Sequence, residues 1–148
     1  MKKIVIVCAG DFGRELAWLI EDINAKCPTY EILGFLDDDD DKIGKKFNGY
    51  KCIGKTDTLT ELSKEQEVYA TIATQDGGLR KRIVEANQDF HNWETLLHPS
   101  ANVSETSKLG AGCVVCANCI ISVNSVFGDH CIFNIGVTVG HDCEMGDY

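Results

Sequence analysis

From Leu97 onward the chain counts in sixes. Leu97, Val103, Leu109, Val115, Ile121, Phe127, Phe133, Val139 and Met145 are all large and apolar, without interruption. Four places after the first eight of them stand smaller residues: Ala101, Ser107, Cys113, Cys119, Ser125, Cys131, Val137 and Cys143. One place after the large residue, Gly110, Gly128, Gly140 and Gly146 recur. This period is the signature of a left-handed parallel β-helix, a triangular prism with one hexad on each face. The large residue is expected to fill the interior and the small one to fit where the chain nears a corner. Three hexads close one coil, which puts spatial neighbours eighteen residues apart.

The same period decides how the cysteines read. "CVVCANC", residues 113–119, has the C-x-x-C-x-x-C spacing of a metal or iron–sulfur ligand set. Yet Cys113 and Cys119 are one whole hexad apart and fall on successive faces, where cysteine serves as a small hydrophobe. Cys116, one place after Val115, is the exception to the slot. No metal is therefore assigned.

The start of the chain, "MKKIVIVCAG", has too short an apolar run for a signal peptide or a membrane span, so a cytoplasmic protein is expected. Eight cysteines in that compartment read as reduced thiols. The 14 basic against 23 acidic residues give a net charge of −9, which argues against wholesale nucleic-acid binding. The acidic run Asp37–Asp41 reads as a solvated loop.

Residues 1–96 lack the six-residue phase and form a separate domain ahead of the prism at 97–148. "KKIVIV" reads as a buried parallel strand, and "DFGRELAWLIEDINAK" has helical apolar spacing. "YEILGFLD" and "EVYATIA" are further strands. "TDTLTELSK", capped by Thr56 or Asp57, and "GGLRKRIVEANQ" are further helices, and "NWETLLHP" leads by a short strand into the prism. The alternation implies a small Rossmann-like sheet. "CAGDFG", residues 8–13, occupies the place of a G-x-G-x-x-G loop, with Cys8 for the first glycine. Such a loop suits either a phosphate held by helix N–H groups or a merely tight turn. Asp37 and Asp38, at the end of the second strand, stand where a nucleotide ribose or base is read.

A Rossmann-like half followed by hexapeptide repeats resembles the bacterial sugar acyltransferases of the bacillosamine, perosamine and sialic-acid type. The resemblance rests on "VCAGDFGRELA", "GFLDDD", "LLHPSANVS", "FNIGVTVGHDCEMGDY" and the hexads between them. It implies a UDP-linked amino sugar or related nucleotide sugar held by the N-terminal half, acetyl-CoA as co-substrate between neighbouring prisms, and a homotrimer. By position it implies that Gly10, Asp11 and Phe12 meet the nucleotide. Asp37 and Asp38 would read the uridine, with a lesser part for Gln75 and Gly78. The histidine of the family's "HDC" segment is His141, followed by Asp142, and would act as general base in acetyl transfer to the sugar amine. Two departures are Cys8 and Asp11 in the glycine loop. The resemblance also implies further coils after Tyr148, so the prism is expected to be a partial one. A sugar O-acetyltransferase, and a non-catalytic nucleotide-binding or trimerisation module, are the alternatives. An NAD-dependent oxidoreductase is the weakest, because a prism offers no hydride-acceptor domain.

Overall fold

The computed structural model describes all 148 residues, which form two compact units, Met1–Trp93 and Glu94–Tyr148.

The first unit is a five-stranded sheet with helices. β1 (Lys2–Val7) contributes Ile4, Val5, Ile6 and Val7, all fully buried, as a strand covered on both faces requires. It lies between β2 (Tyr30–Leu36) and β5 (Tyr69–Ile72), parallel to both. β4 (Tyr50–Gly54) runs parallel to β2, and β3 (Lys46–Phe47) closes the edge antiparallel to β4. The order is thus β3-β4-β2-β1-β5.

The β3–β4 hairpin is absent from the sequence reading, which places no strand between Asp37 and Thr56. Its turn is Asn48-Gly49, with φ of 48° and 92°. Asn-Gly favours the doubly positive φ that a two-residue hairpin loop demands.

Helix α1 (Asp11–Lys26) buries Phe12, Leu16, Leu19 and Ile20 and packs on β1 and β2. α2 (Thr58–Glu65) and α3 (Gly77–Ala86) supply Leu59 and Ile83 to the cluster around Val5, Val7, Ala70 and Ile72. α3 is capped by Asp76, which accepts the Leu79 N–H at 3.1 Å. The cap expected for α2 does not form. Asp57 occupies the N-cap position without a side-chain bond, and Thr56 gives its N–H and hydroxyl to Asp38.

The second unit is the left-handed β-helix. Nine two-residue strands run from β6 (Leu96–Leu97) to β14 (Glu144–Met145), one for each hexad, and sort into three parallel sheets. Leu97 pairs with Val115 and Val115 with Phe133, each step spanning eighteen residues. Val115, Ile121, Phe127 and Phe133 are buried, and the Phe127 and Phe133 rings meet edge to face at 4.8 Å. The column is not sealed along its length: Leu97 is 40% and Met145 50% exposed.

This unit begins at Glu94 rather than at 97, because Thr95 already belongs to the lattice. Its hydroxyl donates to the Gly110 carbonyl at 2.9 Å and accepts the Cys113 N–H at 3.2 Å. That bond recurs. Cys113 donates to the Gly128 carbonyl at 3.2 Å, Cys119 to Asn134 at 3.0 Å, Ser125 to Gly140 at 3.1 Å and Cys131 to Gly146 at 3.2 Å. Each donor reaches a carbonyl fifteen residues ahead. Where the slot holds cysteine, serine or threonine it thus supplies a hydrogen-bond donor as well as a small side chain, and Ala101 and Val137 fill it by size alone.

From Gly112 onward each corner turns on a residue with left-handed backbone, again at intervals of six: Gly112, Asn118, Asn124, His130, Gly136, Asp142 and Tyr148, with φ between 56° and 71°. Glycine, asparagine and aspartate tolerate this conformation at low cost. His130 is the buried exception, stacked parallel on the Tyr148 ring at 5.5 Å. A side chain at Gly112, one coil earlier, would collide with the His130 ring.

Candidate functional site

Residues after the carboxyl ends of β1, β2, β4 and β5, together with α1 and α3, line a cavity of about 610 Å³. An α/β sheet binds ligands there, where the strand order reverses. Five positions of the sequence reading line it together with Gln75: Gly10, Asp11, Phe12, Asp37 and Asp38. Gly78 does not; it lies in the first turn of α3, beside the Asp76 carboxylate.

The β1–α1 turn keeps the backbone of a glycine loop although Cys8 replaces the first glycine. Cys8 has φ of 80° and its N–H donates to the Leu36 carbonyl at 2.7 Å. Gly13 packs directly on the Cys8 carbonyl, leaving no room for a Cβ. At Gly10 the opposite holds: a Cβ would meet nothing within 4 Å, so the loop faces open space. Gly10 is the N-cap of α1 and supplies no side-chain bond to its N–H groups. Burial, reinforced by the Asp37 charge, pushes the Cys8 thiol up to about 11 and keeps it protonated near neutral pH.

Asp37 is no solvated loop residue. It is buried at 9% exposure, and its Oδ2 accepts both the Ala9 N–H at 2.7 Å and the Lys42 ammonium at 2.9 Å. Oδ1 accepts the Asp39 N–H at 3.0 Å. Burial alone would raise its pKa. The bonds from Lys42, Ala9 and Asp39 outweigh burial and hold the carboxyl below its ordinary value. The same contact raises the pKa of Lys42. Asp38 is exposed and bound to Thr56 through N–H and hydroxyl at 2.9 and 2.8 Å.

Lys42, Thr56, Glu15 and Leu79 complete much of the wall; the sequence offers Thr56 only as a helix cap and does not mark the other three. Glu15 holds Oε1 buried without a hydrogen-bond partner. Lys42 was masked by the acidic run before it, since pairing with Asp37 is fixed by the fold of the loop and not by spacing.

His141 and Asp142 belong to the second unit, at a corner of the prism. The His141 Nδ1–H donates to Asp142 Oδ2 at 2.6 Å, which leaves Nε2 as the nitrogen able to accept a proton. Both side chains are exposed, at 76% and 63%. Asp142 holds φ of 56°, so the corner conformation is what turns its carboxylate back to the preceding ring. Val123 stands one coil below His141 and is 44% exposed, flanked by Ile120 at 49% and Val126 at 46%. No helix is long and apolar enough to cross a membrane.

Residues 3–86 match the family model of the PglD N-terminal domain. The chain is 31% identical over 143 residues to GDP-perosamine N-acetyltransferase from Escherichia coli O157:H7, covering 95% of this chain and 62% of that protein. It is 35% identical over 124 residues to UDP-N-acetylbacillosamine N-acetyltransferase from Bacillus subtilis (strain 168), covering 79% and 52%. The chain thus spans just over half the length of these curated relatives. Among solved structures it superposes with a TM-score of 0.86 on the acetyltransferase domain of PglB from Neisseria gonorrhoeae FA1090 in complex with acetyl coenzyme A, at 34% identity, over 99% of this chain and 68% of that one.

Proposed function

Because the chain belongs to the PglD N-terminal-domain family, we propose that it works as an acetyl-CoA-dependent N-acetyltransferase on a nucleotide-linked amino sugar. The similar proteins from E. coli and B. subtilis are named for GDP- and UDP-linked amino sugars, and the N. gonorrhoeae domain for a complex with acetyl coenzyme A. The cavity of the first unit takes the nucleotide, with Gly10, Asp11 and Phe12 at the phosphates and Asp38 and Gln75 toward the nucleoside. Asp37 acts there by holding the loops together.

The observation that carries the chemistry is the 2.6 Å bond between His141 and Asp142. Asp142 fixes the tautomer and orientation of the ring, as the carboxylate of a triad does. In the reaction the sugar amine attacks the thioester carbonyl, forming the C–N bond. His141 Nε2 takes the proton released from that nitrogen. The C–S bond then breaks and the coenzyme thiolate leaves, to be reprotonated by the imidazolium. No cysteine needs to act as nucleophile, and burial already raises the pKa of the Cys8 and Cys113 thiols.

An exposed histidine pair does not exclude water by itself. The apolar residues Ile120, Val123 and Val126 around the same corner support closure by a neighbouring prism in a homotrimer. The eight free cysteines fit a reducing, cytoplasmic location for a protein that makes sugars for surface glycans.

The test is acetyl transfer from acetyl-CoA to UDP- and GDP-linked amino sugars, by the chain and by His141→Ala. The variant is expected to lose turnover by orders of magnitude while it keeps nucleotide affinity. Near-normal turnover in the variant would remove His141 from the role of base. Acetylation of a sugar hydroxyl in place of the amine would replace the acceptor.

A further inference from the structure

Resting on the nucleotide-sugar reading above, we propose that Lys42 is a phosphate ligand of this cavity, presented by Asp37 to the glycine loop. The walls carry the carboxylates of Asp11, Glu15, Asp37 and Asp38 and a single cation, Lys42. A nucleoside diphosphate brings further negative charge into this lining, so its admission depends on the few groups that attract it. Asp11 is turned to solvent at 97% side-chain exposure and paired with Arg14.

The position of Lys42 follows from one shared atom. Asp37 Oδ2 accepts the Ala9 N–H at 2.7 Å and the Lys42 ammonium at 2.9 Å. The ammonium therefore lies no farther from the Ala9 nitrogen than those two bonds laid end to end. Ala9 directly precedes Gly10, where the surface is open and the N–H groups of α1 begin without a side-chain cap. Positive charge and helix N–H groups thus border one open space, the pairing that holds phosphate elsewhere.

Lys42 is also held in place. Its N–H donates to the Asp39 carbonyl at 2.9 Å and its carbonyl accepts the Lys45 N–H at 3.0 Å. Its ammonium has three donors, of which Asp37 takes one, and the side chain keeps 31% of its surface exposed for a ligand.

The experiment is calorimetric titration of the 148-residue chain with UDP and GDP, and with uridine and guanosine as phosphate-free counterparts. Lys42→Met is expected to weaken the diphosphate that the wild type binds by roughly tenfold to a hundredfold, the worth of a charge-assisted hydrogen bond. It leaves the matching nucleoside unchanged and flattens the salt dependence, and Lys42→Arg recovers most of the affinity. Equal diphosphate binding by wild type and Lys42→Met overturns the proposal, as does equal loss for nucleoside and diphosphate. A wild type that binds neither UDP nor GDP brings down the nucleotide-sugar reading itself. Far-UV circular dichroism of both variants separates lost contact from lost fold.

Discussion

The α-carbon of Gly13 rests on the carbonyl of Cys8, so closely that no side chain fits between them. The contact joins the first turn of α1 to the end of β1 and sets the shape of the loop between. Gly13→Ala must push helix from strand, because the obstructing atoms are backbone. It is expected to cost about 3 kcal/mol, the upper part of the range for overpacking. Chemical denaturation measures this, and Gly10→Ala, facing open space, serves as the comparison with a far smaller cost.

The donor slot of the prism predicts an order among substitutions at Cys113. Serine keeps a donor for the Gly128 carbonyl and already fills the slot at Ser107 and Ser125. Alanine leaves that carbonyl unpaired, at a cost of about 1–3 kcal/mol. Cys113→Ser should therefore be the milder change in thermal unfolding. Prolonged treatment with EDTA should leave the unfolding curve of the wild type where it is, since the Cys113, Cys119 and Cys131 thiols donate to carbonyls.

Alkaline stability follows from the same burial. Burial, above all, lifts both Cys8 and Cys113 from 9.0 to about 11. Below pH 9 the thiols stay protonated in both the folded and the unfolded chain. Above it the unfolded chain releases protons that the folded one retains, so stability falls as pH rises through about 11. Melting temperature measured from pH 8 to 11 should decline, and the decline should be shallower in Cys8→Ser.

Acid works on the other side, through Asp37. Its folded-state pKa is lowered, by bonds from Lys42, Ala9 and Asp39 that outweigh burial. Its stabilisation is present above the ordinary carboxyl range and is lost as pH falls through the folded value. Asp37→Asn should lower stability at neutral pH and flatten the acid limb of the melting profile.

The pairing of His141 with Asp142 predicts a change in rate more than in binding. Asp142→Asn offers Nδ1 an amide in place of a carboxylate, so the favoured tautomer is no longer secured. Turnover in acetyl transfer should fall roughly 100-fold, the lower end of a general-base contribution, with little change in nucleotide affinity.

The prism was readable in the chain because its rule is one of side-chain size at a fixed count, which sequence displays directly. What size does not display is hydrogen bonding. The donor role of Thr95, Cys113 and Cys131 became visible only with the carbonyls fifteen residues ahead. The β3–β4 hairpin had a signal in Asn48-Gly49, but its strands are short and frame few apolar residues. Asp37 illustrates a deeper limit. Five consecutive acids look alike in sequence, and the first of them is distinguished by its tertiary partners, among them the Ala9 amide 28 residues away. Lys42 was hidden for the same reason, as its partner is chosen by tertiary structure.

Strand partners eighteen residues apart make the prism a kind of clock face, on which a residue's direction is its number counted modulo eighteen. Removing one hexad between Val123 and His141 would leave the apolar residues inside and the donors in their slots. It would still carry His141 a third of a turn around the axis, away from the edge it shares with Val123. A whole coil could be gained or lost with the bearing of the histidine unchanged. Length in this fold is therefore free in eighteens and constrained in sixes, and the direction in which the site looks is inherited by counting.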